Sequence, residues 1–246
     1  MALTDYKSAL VTGASSGIGE ACVRSLCARG INVYAAARRE DKLARLARET
    51  GCQVVVLDVR DRKSIYAQLS ELEIDILINN AGLGRGFEAL FEADPEDIET
   101  TLQTNIIGAA HVIRALGAGM VKRNRGHVVN IGSVAGLYPI NSSVYGSSKG
   151  AIHSMSQNLR IELSGTRVRV TEICPGRVAT NFFNIAVDDP EKSAKAFEGF
   201  EALQAEDVAD AVVYALDTPW RVNIGTIELS PTEQTFGGMK ITPAPE

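Results

Sequence analysis

Tyr145 and Lys149, four residues apart, and Ser133, twelve residues before the tyrosine, are the side chains of this sequence whose types and spacing suit proton transfer. The run from Ser142 through Leu163 reads as helix, which sets residues four apart one turn above each other on a single face. A free phenol ionises near pH ~10 and is a poor acid or base at neutrality; a cation beside it favours the phenolate and brings its pKa toward the working range. Tyr145 can then give a proton to a carbonyl oxygen or take one from an alcohol. Ser133 follows the strand-like run His127 to Ile131, where a hydroxyl can hydrogen-bond the same oxygen. An isolated Tyr-x-x-x-Lys is more often an ordinary helix face, so its surroundings must decide.

Those surroundings are apolar runs of strand length alternating with longer amphipathic segments. SALVTG, INVYAAA, CQVVVLDV, IDILINNAG, HVVNIGS, RVRVTEICPG and TIELSP are the strand candidates, and helices are predicted around 17–29, 39–50, 61–71, 95–123, 142–164 and 205–217. Most strand candidates are nearly continuous in apolar residues, the pattern of strands covered on both faces by helices. Strand and helix in alternation mean right-handed crossovers and a parallel sheet. The prediction is a single α/β domain over 1–246, doubly wound, with about seven parallel strands and helices on both faces. The stretch 177–205 has no clear place in the sheet, and loops of that length in compact domains are usually functional or disordered. It is read as a substrate lid.

The first strand empties into Gly13-Ala14-Ser15-Ser16-Gly17-Ile18-Gly19, and a helix follows. Glycines let the backbone turn sharply and approach a pyrophosphate, while the free N–H groups and dipole of the helix attract its charge. The spacing is G-x-x-x-G-x-G rather than the commoner G-x-G-x-x-G, but its place between first strand and first helix is where such sites occur. A turn with no ligand is the plain alternative. The second strand ends at Ala37, followed by Arg38 and Arg39. An NAD site usually puts Asp or Glu here for the ribose 2′-hydroxyl, whereas Arg suits a 2′-phosphate. No carboxylate stands there, which points to NADP; two solvated arginines opening a helix are disfavoured because that end of a helix repels cations. Asp58, with Val59, closes the third strand and is placed to accept from the adenine amino group or simply to form a turn. Asn79-Asn80-Ala81-Gly82 closes the fourth, where small residues permit close backbone approach to the adenosine side.

The totals exclude several classes. With 246 residues, 45% of them hydrophobic and 22% charged, the chain is an ordinary soluble globule, and its net charge of -5 gives no standing attraction for nucleic acid or anionic membrane. The N-terminus shows no secretory signal, and no apolar stretch approaches the ~20 residues of a membrane span. Cys22, Cys27, Cys52 and Cys174 lack metal-ligand spacing and read as buried thiols in a reducing cytoplasm. His111, His127 and His153 share no metal spacing and are read as structural.

Together these residues resemble one family, the short-chain dehydrogenases/reductases. Thr12 to Gly19 (TGASSGIG), Asn79 to Gly82 (NNAG), Asn105, Ser133, Tyr145-x-x-x-Lys149 and Pro175-Gly176-x-Val178-x-Thr180 stand in that family's order and spacing over almost the whole chain, and the Tyr-x-x-x-Lys is the only one in the sequence. The resemblance implies a Rossmann fold and an NADP-dependent oxidoreductase of small carbonyl and alcohol substrates. Ser133 would orient the carbonyl and Tyr145 would be acid in reduction and base in oxidation. Lys149 would hold the nicotinamide ribose while lowering the phenol pKa. Asn105 would position a water linking Lys149 to bulk solvent. Pro175, Gly176, Val178 and Thr180 would face the nicotinamide. Many NADP-preferring members carry a basic residue within the glycine loop, where this chain has Ser16. Arg38, Arg39, the stretch Ala205 to Ala209 and the tail after Ser230 look most like the branch of NADP-dependent serine and 3-hydroxy acid dehydrogenases. Family analogy also implies a homo-oligomer, usually a tetramer built through the 95–123 and 142–164 helices.

Substrate is less legible. Asn181 to Val187 and Asp188-Asp189-Pro190 lie behind Thr180, and the apolar residues among them either wall a pocket or anchor the loop. A small hydroxy acid needs a cation for its carboxylate, and Arg85 and Arg177 are nearest in sequence, although both also read as solvated loop charges. Without such an anchor a bulkier apolar ketone or aldehyde fits better. A silent NADP-binding sensor has no reason to keep Ser133, Tyr145, Lys149 and Asn105 together, and no nucleophile elbow surrounds Ser133 to support a hydrolase.

Overall fold

The structure, a computed structural model, describes residues 3–182, 186, 197–235, 237 and 240–242. Of the lid expected over 177–205, residues 183–185 and 187–196 lie outside the described residues, and with them Phe183, Asn184, Ile185, Val187, Asp188, Asp189 and Pro190.

Seven strands form one parallel sheet: β1 Ser8–Thr12, β2 Asn32–Ala37, β3 Gln53–Val56, β4 Ile76–Asn79, β5 Gly126–Ile131, β6 Val168–Pro175 and β7 Thr226–Leu229, in the order β3-β2-β1-β4-β5-β6-β7. The strand order reverses between β1 and β4, which opens a crevice at the carboxyl ends of the strands. Between the strands run α1 Gly17–Cys27, α2 Glu40–Thr50, α3 Arg62–Leu69, α4 Pro95–Leu102, α5 Ala109–Lys122, α6 Val134–Leu137, α7 Ser143–Glu162 and α8 Ala205–Leu216. Alternation along β1 sends Ala9 and Val11 into a core with α1, α2 and α8, and Leu10 into a second core with α3, α5 and α7. Local chemistry sets the helix ends: Asp61 accepts from Ser64 N at 3.1 Å to cap α3, and Asp94 caps α4 with Pro95 in its first turn.

Three expectations need correction. Covering on both faces holds for β1, β4, β5 and β6, buried at every position. It fails at β3, where Val54 and Val56 are 39% and 43% exposed, because an edge strand has a neighbour on one side only. The helix predicted over 95–123 is interrupted by a π-helical turn at Gln103–Gly108. Counted as one body, Pro95–Lys122 has 28 residues and is long and apolar enough to cross a membrane, contrary to the sequence expectation. Half of its most apolar stretch is buried, and it packs on α3, β4 and β5 as a core helix does.

Candidate active site

Tyr145 and Lys149 lie on the first two turns of α7, and Ser133 stands between β5 and α6 in extended backbone, where its Oγ accepts from Ala135 N at 3.1 Å. All three line one cleft at the carboxyl edge of the sheet. Ser133 hydrogen-bonds the phenol of Tyr145. Lys149 Nζ donates to Ile131 O at 2.9 Å and lies 6.0 Å from the centre of the Tyr145 ring. Burial pushes the phenol up to about 12, against the smaller downward pull of the Ser133 hydroxyl, and brings the Lys149 ammonium down to about 8. The expectation that Lys149 draws the phenol toward neutrality is therefore not met by these groups: desolvation of a buried phenol outweighs an ammonium bound to a backbone carbonyl. What they hold ready is a protonated phenol, a proton donor.

The glycine loop forms the far wall. Gly13 and Gly17 have φ of +66° and +54°, which side chains rarely adopt, and a Cβ on Gly13 would lie 2.8 Å from Asn80 Nδ2. A Cβ on Gly19 would lie 2.5 Å from Gly13 O, so the loop can close onto α1 only with glycine there. Asn80 braces the turn from β4, its Nδ2 donating to Thr12 O at 2.9 Å while Thr12 Oγ1 accepts from Asn80 N and Ala81 N, each at 2.9 Å. Past β2, the Arg39 guanidinium lies on the loop itself, Nη2 donating to Ser15 Oγ at 2.8 Å and to Ser16 Oγ at 2.7 Å. A cation thus stands at the loop although the loop carries none in sequence. Backbone that tolerates no Cβ, a helix N-terminus and a guanidinium at the end of β2 fit a dinucleotide with a 2′-phosphate.

Residues 7–191 match the family model for short chain dehydrogenase. The chain belongs to the short-chain dehydrogenase family. It is similar to an NADP-dependent 3-hydroxy acid dehydrogenase of Salmonella typhi, 43% identical over 242 residues that cover 94% of this chain and 98% of that one. A probable NADP-dependent dehydrogenase of Haemophilus influenzae is 38% identical, covering 96% and 97%. Among solved structures, the closed form of a serine dehydrogenase complexed with NADP+ matches with a TM-score of 0.91 at 41% identity, covering 96% of this chain and 100% of that one.

In this short-chain dehydrogenase, Gly13, Ser16, Gly17, Ile18, Asn80, Ala81 and Gly82 line the same cleft as Ser133, Tyr145 and Lys149, together with Pro175, Gly176, Val178 and Thr180 from the end of β6. Ser15, Arg38, Arg39, Asp58, Val59, Arg85 and Asn105, also singled out in sequence, are not among the residues that line it. Arg38 is exposed, and the Asp58 carboxylate is occupied by Arg60, with Nη2 donating at 2.7 Å, so the adenine role expected of Asp58 competes with an ion pair. That guanidinium, chiefly, holds the Asp58 carboxyl below its usual range. Val59 is buried against Gly108 of the π-helical turn, where a Cβ would lie 2.6 Å from Val59 O. Asn105, on the same turn, grips Leu83 at both backbone atoms: Oδ1 accepts from N at 2.9 Å, and Nδ2 donates to O at 2.8 Å and to Ser148 Oγ at 3.0 Å. Arg85 pairs with Asp97 at 3.2 Å and does not line the cleft, whereas Arg177 does.

Several site residues were not found from sequence. Phe87 and Phe182 flank the Tyr145 ring, with centres 5.6 and 5.3 Å away, and Ile140 and Val134 continue the wall. Gln234, from the chain after β7, accepts from Arg177 N at 3.0 Å and fixes the loop after β6. These contacts arise between elements distant in sequence and follow no spacing. Phe182 is the exception, since the sequence already offered the apolar residues behind Thr180 as a pocket wall or a loop anchor.

Proposed function

We infer that the protein transfers hydride between NADP(H) and a small carbonyl compound or its alcohol, with 3-oxo and 3-hydroxy acids as the substrate class. The observation that carries this reading is the meeting of a buried, serine-bonded phenol with a glycine loop topped by Arg39 in a single cleft. The NADP-dependent relatives, a 3-hydroxy acid dehydrogenase and a serine dehydrogenase, support both cofactor and substrate class.

When bound, NADPH supplies the hydride. Gly13, Ser16 and Gly17 would hold its pyrophosphate, Arg39 with Ser15 its 2′-phosphate, and Thr180 and Val178 would face its nicotinamide. Ser133 fixes the substrate oxygen, and Tyr145, kept protonated by its burial, delivers the proton to it. Lys149 holds a positive charge beside the developing phenolate and so stabilises it. Asn105 acts through Leu83 and Ser148, and its bond to water is part of the same proposal. Arg177, on the cleft wall and stacked 5.7 Å from the Phe200 ring, is the anchor proposed for the substrate carboxylate. Burial lowers its pKa, yet a guanidinium stays charged.

The rings of Phe87 and Phe182 favour a second reading, reduction of a bulkier apolar aldehyde or ketone. NADPH oxidation followed against 3-oxo acids, aldehydes and ketones, with the reverse panel of 3-hydroxy acids and alcohols, separates the two. Replacing Arg177 by Met is expected to raise KM for the acids at least about tenfold, the loss of one charge-assisted contact, and to leave neutral carbonyls unchanged. Equal effects on both classes would move the anchor elsewhere. The free thiols, three of them buried, support a reducing, cytoplasmic setting as part of this reading.

A further inference from the structure

Beneath the cleft, α7 carries a ladder of polar side chains at four-residue intervals on one face: Tyr145, Lys149, His153 and Gln157. The first two are buried, and the His153 side chain is 26% exposed. Across from the ladder, β6, the strand beside the β7 edge of the sheet, presents Glu172, a carboxyl group with no exposed surface. Its Oε2 meets His153 Nδ1 at 2.6 Å, and His153 Nε2 meets Gln157 Nε2 at 3.0 Å. Its other oxygen lies over Gly132, so close that a Cβ on Gly132 would collide with it. Lys149 reaches the preceding residue, at the end of β5, through its bond to Ile131 O. A carboxyl group taken fully out of water needs a cation or several donors.

We propose that Glu172 and His153 are positioning residues for Lys149: the buried carboxylate is the counter-charge that keeps the Lys149 ammonium protonated, and the imidazole holds that carboxylate in place. Deep in the sheet the ammonium has lost most of its hydration, and an opposite charge in low dielectric is what restores the charged form. The titratable neighbours leave Glu172 as the source. From α7 these are Tyr145, neutral until about 12, and His153. From β6 they are Glu172 and Cys174, and burial, reinforced by Glu172 itself, holds the Cys174 thiol neutral far above the working pH. Glu228 of β7 accepts from Tyr138 OH at 2.9 Å. Neither Glu172 nor His153 belongs to the dehydrogenase motifs, and in sequence Glu172 is one of several polar residues in the strand Val168–Pro175.

The proposal rests on Lys149 serving the reaction inferred above, so its main readout is independent of turnover. In the ligand-free protein labelled with 13C at lysine Cε, Lys149 is the resonance that disappears in Lys149→Met, and its titration midpoint is measured. Glu172→Gln is expected to move that midpoint toward acid by roughly one pH unit or more, the size of a lost close counter-charge. Glu172→Asp, which keeps the charge, is expected to restore most of it. His153→Leu leaves the carboxyl group without its hydrogen-bond partner and free to turn away from Lys149, and is expected to give a smaller acid shift. The double variant is expected to show no more than Glu172→Gln alone. The alkaline limb of kcat/KM for NADPH should move in parallel. An unchanged midpoint in Glu172→Gln overturns the proposal, and an unchanged midpoint in His153→Leu overturns the part given to the imidazole. Should Glu172→Gln show no cooperative thermal transition, His153→Leu and Glu172→Asp decide: a midpoint unchanged by His153→Leu counts against the proposal, and an acid shift in it that Glu172→Asp does not reproduce counts for it. Either failure leaves the dehydrogenase assignment standing, since that is tested by Tyr145→Phe.

Discussion

A phenol packed beside Phe87 and Phe182 is shielded from water, and this burial, more than any neighbouring charge, sets its proton affinity. Two expectations follow. Tyr145→Phe keeps the ring packing and removes only the transferable proton, so turnover is expected to fall by about 100-fold or more with NADPH affinity nearly unchanged, read by fluorescence titration. Because Lys149 titrates at about 8 while Tyr145 stays protonated to about 12, kcat/KM for NADPH in the reductive direction is expected to decline as pH rises through about 8. A profile flat to pH 10 would remove Lys149's charge from the account. Residue types at fixed spacing, the Tyr-x-x-x-Lys and Ser133, were legible in the sequence because a helix converts spacing into adjacency. The pKa balance was not, because burial depends on Phe87, which no local spacing ties to Tyr145. The same holds for Arg39. Sequence put Arg38 forward as the residue whose replacement should shift the cofactor preference, whereas packing puts Arg39 on Ser15 and Ser16. Arg39→Asp is therefore expected to cut the preference for NADPH over NADH by about 10-fold or more, and Arg38→Asp by less, measured as the ratio of kcat/KM values. The reverse ranking would show that the exposed arginine reads the phosphate.

At the scale of elements, the junction from β1 to α1 and the π-helical turn between α4 and α5 do the positioning. Gly19 at the first of these was legible, since glycines between strand and helix announce a close approach. The reason for it is a backbone contact: a Cβ there would meet Gly13 O and Asn80 Nδ2 at 2.5 and 2.6 Å. Backbone cannot yield as a side-chain tip can, so Gly19→Ala is expected to lower the thermal midpoint and weaken NADPH binding together. A variant with a parental melting curve and parental affinity would contradict the close packing. The π-helical turn left no mark in the pattern, because its extra residue changes hydrogen bonding without interrupting the apolar run 95–123. It matters because it carries Asn105, whose side chain satisfies both backbone atoms of Leu83 on the cleft wall.

For the molecule as a whole, a doubly wound sheet of about seven parallel strands was readable from the alternation of apolar and amphipathic runs, since right-handed crossovers leave few topologies, while the order of the strands came only with the structure. What alternation does not reveal is which faces stay uncovered. Ile107 and Val121, on the α4 to α5 body, are 42% and 38% exposed, and Ile161 near the end of α7 is 74% exposed. These are the two helical bodies through which the family resemblance implies a tetramer, and large apolar side chains left in water on both of them are what such an interface would cover. Subunits packed through these helices would also brace α7, the element that carries Tyr145 and Lys149, so assembly and catalysis are expected to be coupled. Light scattering is expected to give four chain masses for the parent protein. Ile107→Glu combined with Ile161→Glu is expected to give a smaller species with lower kcat, because a charge desolvated at the centre of an apolar contact opposes association. A parental mass for that double variant would place the interface on another face, and a dissociated variant of full activity would show that α7 holds the site without help from a neighbour.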